Sequence, residues 1–328
     1  MEQTIGSTSS EPPPAPRHKT SNLPELGDAG AASSSQNDTP QLVEVNENTD
    51  LASLTPAQLY DLNQELLNEA AGTDRPLIAS VAPMDVLRAE YENGSQSFVK
   101  QIEFLQKQGY HGIRRTRGDG DCFYRSLAFA YIERIMNASD RPLAVMTAIS
   151  TLEATLPMLD AAGFQKMVYE DFFEIVIDLI RRIETPDAQG KTLTHEALLE
   201  AFQDPGVSNY VVVYLRLLTS AQIRTDPESY EPFLIHPELG EPVPTRDFCE
   251  AFVEAIGKEA DHVQVTALSR ALKINVKVAY LDGRGKNGHV DFVEFRNARY
   301  ENEDPLVLLY RPGHYDILDN RSIEALSL

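Results

Sequence analysis

The spacing of apolar residues predicts a chain that is mostly helical from residue 97 onward. Phe98, Ile102 and Leu105 recur three and four positions apart, and the run ends at Gly109. This is the pattern of a helix that buries one face and stops at a glycine. An apolar stretch at 123–135 and similar periodicity further along predict more helices, over 144–156, 164–183, 193–202, 207–223, 248–256 and 263–272.

Strand patterns come late in the chain. Residues 274–280 and 290–295 show strand-like alternation or apolar runs, and 306–310 form an apolar run. A Pro-Gly turn then leads into a further extended segment at 314–318. There is no internal repeat, and about 250 core-forming residues lie near the upper limit for one hydrophobic core. The predicted fold class is therefore a single α/β or α+β domain, rich in helices, with a small late mixed or antiparallel sheet.

The N-terminal part of the chain differs in composition from the rest. Residues 1–50 are rich in Pro, Ser, Ala and Gly and have few large apolar side chains. Such a segment buries too little surface to offset the entropy of ordering, so we expect a disordered acidic tail. Residues 51–80 are expected to hold an N-terminal helix and a linker, and 81–328 the folded domain.

The predicted N-terminal helix has a recognisable start. Thr55 and Pro56 suit an N-cap followed by proline at the first helical position, and the leucines that follow have helical spacing. Two interpretations stay open: a short interaction helix, or a helix that packs on its own domain or frays in solvent.

Two short strings near the ends of the predicted domain carry candidate chemistry. Residues 117–125 read Arg-Gly-Asp-Gly-Asp-Cys-Phe-Tyr-Arg, which puts Cys122 after a glycine-rich loop and at the exposed start of a predicted helix. Free N–H groups and the helix dipole favour a thiolate there. His314 and Asp316 lie two apart on an extended segment, so they share one face and one can orient the other. A cysteine, a histidine and a carboxylate are the groups of a cysteine-protease triad.

Each string also has a simpler interpretation. A single cysteine in an apolar helix is most often a small core residue, and a single histidine near a turn is usually a surface group. Gly-Asp-Gly-Asp also resembles the opening of a calcium loop, but that loop requires a ligand at Phe123, a glycine at Tyr124 and a glutamate at Ala130. All three positions are wrong for calcium. The two strings together favour catalysis, with the glycines of the loop allowing backbone N–H groups to face a developing charge.

Composition narrows the class of protein. Two cysteines in 328 residues form neither a disulfide scaffold nor a four-thiolate zinc site, so we expect a reducing compartment, no cofactor and no metal. Cys249 is expected to be structural. No signal-peptide or membrane-spanning pattern was found, which predicts no membrane association. A formal net charge of -21 argues against nucleic-acid binding and favours a basic protein partner.

Four segments resemble one known family. The string Gly-Asp-Gly-Asp-Cys-Phe-Tyr-Arg and the segments 214–220, 261–263 and 310–316 are similar to those of the otubains, deubiquitinating cysteine proteases of the ovarian-tumour superfamily. The resemblance is colinear from about Val81 to the C-terminus. It implies a papain-like, OTU-type domain. By the same resemblance the nucleophile is Cys122, the general base is His314, the residue that orients the base is Asp316, and the loop at Asp119 forms the oxyanion hole.

The resemblance also implies a function. An otubain hydrolyses isopeptide bonds at the C-terminus of ubiquitin through a thioester, here expected in polyubiquitin chains, with the lysine-forty-eight linkage favoured. The expected partners are ubiquitin, polyubiquitin chains and ubiquitin-conjugating enzymes, and the expected location is the cytoplasm, with the nucleus as a second compartment. The main alternative is a catalytically weak module that binds ubiquitin or a conjugating enzyme. An adaptor that acts through the acidic tail and an acyl-transfer enzyme for small molecules also stay open.

One residue departs from the otubain pattern. Otubains usually carry asparagine directly before the cysteine, whereas this chain has Asp121. A carboxylate close to the sulfur stabilises the protonated thiol. We therefore expect Asp121 to disfavour the thiolate of Cys122 if its side chain points toward the sulfur.

Overall fold

The computed structural model describes residues 75–297 and 304–321. The predicted tail at 1–50 and the predicted helix that begins at Thr55 lie outside the described residues. Within the described part, the chain contains the α-helices α1 Met84–Tyr91, α2 Gln96–Lys107, α3 Cys122–Met136, α4 Arg141–Glu153, α5 Leu156–Ala161, α6 Lys166–Arg181, α7 His195–Gln203, α8 Pro205–Thr225, α9 Pro227–Tyr230, α10 Thr245–Phe248 and α11 His262–Leu272.

Six strands form one mixed sheet. They are β1 Ile78–Pro83, β2 Gly112–Thr116, β3 Val276–Tyr280, β4 Asp291–Phe295, β5 Leu306–Arg311 and β6 His314–Asp319, in the spatial order β1-β2-β6-β5-β3-β4. All neighbours are antiparallel except β3 and β5, which run parallel. β5 and β6 form a hairpin in which Arg311 lies opposite His314. Gly313 turns this hairpin with a φ of 76°, a conformation that glycine adopts without steric cost.

The predicted fold class, helix-rich α/β with a mixed sheet, is confirmed, but two strands were missed. β1 and β2 come early in the chain, whereas the sequence predicts only late strands. β2 lacks an apolar alternation because it carries Arg114, whose guanidinium stacks 4.2 Å from the centre of the Phe129 ring and pairs with Glu133 at 3.3 Å. Its burial thus depends on partners far along the chain, which periodicity does not reveal.

Helix α3 is the centre of the main core. Thirteen of its fifteen residues are buried, and it packs against β6, β5 and α8. A helix buried on nearly all sides is apolar all round rather than amphipathic, which explains the continuous apolar stretch in its sequence. The consequence for function is that the first residue of this helix, Cys122, is held by the core itself.

Two predicted helices differ from the observed ones. The helix predicted over 144–156 is two helices, α4 and α5, with a break at 154–155. The helix predicted over 248–256 is α-helical only to Phe248 and continues as a π-helix, Cys249–Glu254. π-helical turns are frequent at functional sites, and this one ends beside the loop that precedes Cys122.

One stretch has the length and composition of a membrane-spanning helix. It is Arg141–Ala161, with a mean hydropathy of 1.3 and 28% of the window buried. In the structure it is α4 followed by α5, and its residues Val145, Ala148, Leu152 and Leu159 lie in the main core. The sequence analysis did not single out this stretch. Its expectation of no membrane association stays a prediction.

Candidate active site

Cys122 is the first residue of α3 and is buried, with 2% of its surface exposed. The expectation of an exposed helix start is therefore wrong, because β6 covers the sulfur. The backbone N–H of Tyr315 in β6 donates a hydrogen bond to Cys122 Sγ at 3.4 Å. Cys122 and Cys249 are both free thiols. Burial raises the pKa of the Cys249 thiol, which agrees with a structural role for that residue.

His314 and Asp316 contact each other across one face of β6. The imidazole Nε2 lies 3.0 Å from Asp316 Oδ1, and both side chains are buried. The other ring nitrogen, Nδ1, has no nitrogen or oxygen partner among the described residues. It lies beside Gly118, since a Cβ atom added to that glycine would be 3.7 Å from Nδ1. Nδ1 therefore faces the loop that leads into Cys122.

The electrostatics of the pair favour a charged imidazole. Burial lowers the pKa of His314, but the Asp316 carboxylate and the Cys122 sulfur together raise it by more, to about 9. Burial raises the pKa of Asp316, while His314 and Arg311 lower it well below its usual range. The protonated form of the imidazole is therefore favoured at neutral pH.

Two groups that sequence reasoning missed hold the Asp316 carboxylate. Arg311 donates to Oδ2 at 2.6 Å, and the backbone N–H of Thr116 donates to Oδ1 at 2.9 Å. Arg311 is itself buried and lies 3.5 Å from Glu90. The sequence did contain a sign of this ion pair, because Arg311 stands within the string 310–316, five residues before Asp316. Only the hairpin, however, brings the two side chains together.

Asp119 holds the loop before the nucleophile through its side chain. Its Oδ1 accepts hydrogen bonds from the backbone N–H of Asp121 at 3.0 Å and from the Arg125 guanidinium at 2.9 Å. Arg125 is fully buried and also donates to Ser208 at 3.0 Å. The N–H groups in the first turn of α3 have no partner inside the helix, so they suit a developing oxyanion.

Asp121 has a buried cationic partner. Its Oδ1 accepts from Arg216 Nε at 2.9 Å and from the backbone N–H of Gly257 at 3.1 Å. The sequence-based expectation, that Asp121 disfavours the thiolate of Cys122 if its side chain points toward the sulfur, did not include this guanidinium. Arg216 compensates the charge in the native protein. The sequence offered one sign of this ion pair, namely an arginine in the middle of the apolar run 207–223. A charge in a buried helix requires a partner, although the sequence does not show which one.

The described residues hold no group of three or more His, Cys, Asp or Glu side chains that could bind a metal ion. A cysteine at a buried helix start, a histidine and a carboxylate on the adjacent strand, and a mixed α/β scaffold define the arrangement of a papain-like cysteine peptidase. The chain belongs to the otubain family: the family model described as Peptidase C65 Otubain matches residues 70–320. The predicted family is confirmed.

Relatives with curated names support the family assignment. The chain is 35% identical over 269 residues to OVARIAN TUMOR DOMAIN-containing deubiquitinating enzyme 1 of Arabidopsis thaliana, covering 78% of this chain and 85% of that protein. It is 35% identical over 255 residues to Ubiquitin thioesterase OTUB1 of Homo sapiens, covering 78% and 87%. A solved complex of h/ceOTUB1 with ubiquitin aldehyde and UBC13~Ub is similar with a TM-score of 0.66 and 29% identity, covering 81% of this chain and 97% of the solved one.

Proposed function

We propose that this protein is a cysteine-type deubiquitinase that hydrolyses isopeptide bonds at the C-terminus of ubiquitin. The observation that carries the proposal is the buried contact of His314 with Asp316, beside a cysteine at a helix start. Relatives of similar sequence are named as a deubiquitinating enzyme and a ubiquitin thioesterase, which supports the same activity for this chain.

The reaction proceeds through a thioester. The Cys122 thiolate attacks the carbonyl carbon at the end of the ubiquitin tail and forms a tetrahedral oxyanion. Backbone N–H groups near Asp119 and in the first turn of α3 stabilise this oxyanion by about 3 kcal/mol per donor. The C–N bond then breaks, and His314 gives its proton to the departing amine.

The second half returns the enzyme to its starting state. His314, now neutral, takes a proton from water, and the resulting hydroxide adds to the thioester carbonyl. The C–S bond breaks, which releases the C-terminus of ubiquitin as a carboxylic acid and restores the thiolate and the imidazolium. The acid then gives its proton to the solvent and becomes the carboxylate. Asp316 stays ionised throughout and orients the imidazole, because Arg311 and Thr116 hold it.

Ubiquitin and ubiquitin-conjugating enzymes are the partners. The solved relative contains ubiquitin aldehyde and UBC13~Ub, and the net charge of -21 suits the basic surface of ubiquitin. Polyubiquitin chains joined through lysine forty-eight are the proposed substrate, on the family resemblance. The cytoplasm, with the nucleus as a second compartment, is the proposed location, and two free thiols support it.

A panel of the eight linkage-defined diubiquitins tests the proposal. We expect cleavage by the wild-type protein, fastest for the lysine-forty-eight linkage, and none by Cys122→Ala. A ubiquitin-propargyl probe should add to the wild-type thiol only. Cleavage of other linkages at equal rates would refute the linkage preference alone, and absence of both cleavage and adduct would refute the hydrolase.

The burial of the catalytic groups favours a second candidate function, a ubiquitin- or conjugating-enzyme-binding module with weak catalysis. With 2% of Cys122 exposed, a substrate carbonyl reaches the sulfur only after the surrounding groups move. Binding of ubiquitin-loaded conjugating enzyme at concentrations where diubiquitin is not cleaved would support this function. Rapid turnover of diubiquitin by the isolated protein would rule it out.

A further inference from the structure

Arg216, in the middle of α8, has no exposed side-chain surface. Its guanidinium donates to Asp121 Oδ1 through Nε at 2.9 Å and through Nη2 at 2.5 Å. It also donates to three backbone carbonyls: Gly120 at 3.1 Å, Val253 at 2.9 Å and Lys258 at 2.6 Å. One side chain thus joins the loop before the nucleophile to the end of the π-helix and to the loop that follows it.

The Asp121 carboxylate makes the same connection from the other side. It is 7% exposed, and the oxygen that binds Arg216 also accepts from the N–H of Gly257 at 3.1 Å. Hydrogen bonds from a planar guanidinium to a carboxylate fix both the distance between the two groups and their relative orientation. A single flexible donor does not fix the orientation. The loop 118–121 and the segment 253–258 are therefore held to each other by a buried ion pair.

The two segments also touch through their backbones. Gly120 has a φ of 78°, and a Cβ at this position would lie 2.1 Å from the carbonyl oxygen of Gly257. No room is left for a side chain between the loop and the segment. Gly120, two residues before Cys122, therefore lies directly against the backbone of Gly257.

We infer that Asp121 and Arg216 are positioning residues of the catalytic centre. The pair presses the loop 118–121 against the segment 253–258 and so sets the direction of the backbone N–H groups at the start of α3. These groups receive the oxyanion in the proposed reaction, on which this inference rests. In this role the pair acts through the geometry of the donors.

Arg216→Lys separates geometry from charge. Lysine keeps the positive charge, so the field at the sulfur is retained, but its single ammonium cannot replace the fork that reaches Asp121 and three carbonyls. We expect kcat for diubiquitin cleavage to fall by about tenfold or more, since misplaced oxyanion donors act on the transition state. The KM and the rate of Cys122 alkylation by iodoacetamide, which needs a thiolate but no oxyanion hole, should stay within about twofold.

Asp121 offers a graded series. In Asp121→Asn the amide oxygen still accepts from Arg216 and Gly257, so kcat should fall less than in Asp121→Ala, which removes the acceptor. The order of kcat should be wild type, then asparagine, then alanine. If Arg216→Lys does not fold, the Asp121 series still measures how the ion pair affects kcat. Its side chains are isosteric with aspartate or smaller.

Arg270→Lys is the matched control. Arg270 lies on α11 and pairs with Asp226 at 3.1 Å, outside both the loop 118–121 and the segment 253–258. This variant reports what the loss of an arginine side chain from an ion pair does to the fold, and its kcat should equal that of the wild type.

The outcomes are distinct. A fall in kcat for Arg216→Lys with unchanged alkylation, together with a wild-type kcat for Arg270→Lys, supports positioning. Equal kcat in wild type and Arg216→Lys, equal loss in both arginine variants, or alkylation that falls in parallel with kcat overturns it. A wild-type protein that cleaves no ubiquitin substrate refutes the proposed function instead, so the two failures are told apart by the wild-type measurement.

Discussion

His314 Nε2 lies 3.0 Å from Oδ1 of Asp316, two residues further along the same strand. Residues two apart share a face of a strand, so the carboxylate holds one ring nitrogen while the other faces the loop before Cys122. In the proposed reaction the three side chains have separate roles, namely nucleophile, base and orienting group. Each role predicts a different outcome when its residue is changed.

Cys122→Ala should abolish hydrolysis and leave ubiquitin affinity nearly intact. The change removes one buried sulfur, which costs about 1 kcal/mol of stability, comparable to one buried methyl group. Diubiquitin cleavage and calorimetric binding of ubiquitin are the measurements. Cys249→Ala, which removes the other buried thiol, is the control and should keep full activity. Residual turnover above a few per cent in Cys122→Ala would remove this residue from the mechanism.

His314→Ala should be as damaging as the loss of the cysteine, whereas Asp316→Asn should leave measurable activity. Asparagine keeps the shape but weakens the hold on the imidazole. It also removes the nearer of the two anions beside the buried Arg311 and leaves only Glu90 at 3.5 Å, so we expect a loss of stability of about 3 kcal/mol. Single-turnover rates and urea unfolding separate the two effects. Equal rate losses in all three variants would mean that Asp316 does more than orient.

The pH dependence of cleavage should follow the imidazolium. Burial lowers the pKa of His314, but Asp316 and the Cys122 sulfur raise it by more, to about 9. The proton needed by the departing amine is therefore present below that pH and is lost as the pH rises through it. We expect kcat/KM for diubiquitin to fall on the alkaline side near this value. In Asp316→Asn the raising carboxylate is gone, so the pKa of His314 drops and the alkaline fall should move to lower pH. An unchanged alkaline limb would assign it to another group.

Asp121→Asn should shift the alkylation of Cys122 by iodoacetamide to lower pH. The change removes a negative charge and leaves the Arg216 cation, which favours the thiolate. In Asp121→Asn/Arg216→Gln both charges are gone, so the midpoint should return toward the wild-type value. Because the pair is buried, added salt should alter these shifts little. Superimposable curves for wild type and Asp121→Asn would show that the carboxylate does not act on the sulfur.

Local sequence determined much of this protein. Apolar periodicity predicts helices α2, α6, α7, α8 and α11 and the strands β3 to β6 because their spacing follows the geometry of each element itself. Residues two apart on one strand, such as His314 and Asp316, are also a local relationship. The family resemblance identified Cys122 for the same reason, since its motif is contiguous.

The tertiary structure alone decided the relationships between distant segments. β2 pairs with β6, which lies about two hundred residues later. Tyr315 of β6 contacts the sulfur of Cys122, which the local pattern placed at an exposed helix start. Arg216 reaches Asp121 across 95 residues of sequence. Burial of a charge depends on a partner that the fold supplies, and periodicity carries no information about which distant side chain that is. For this reason the proposed nucleophile is visible in the sequence, whereas the ion pair of the residue before it is not.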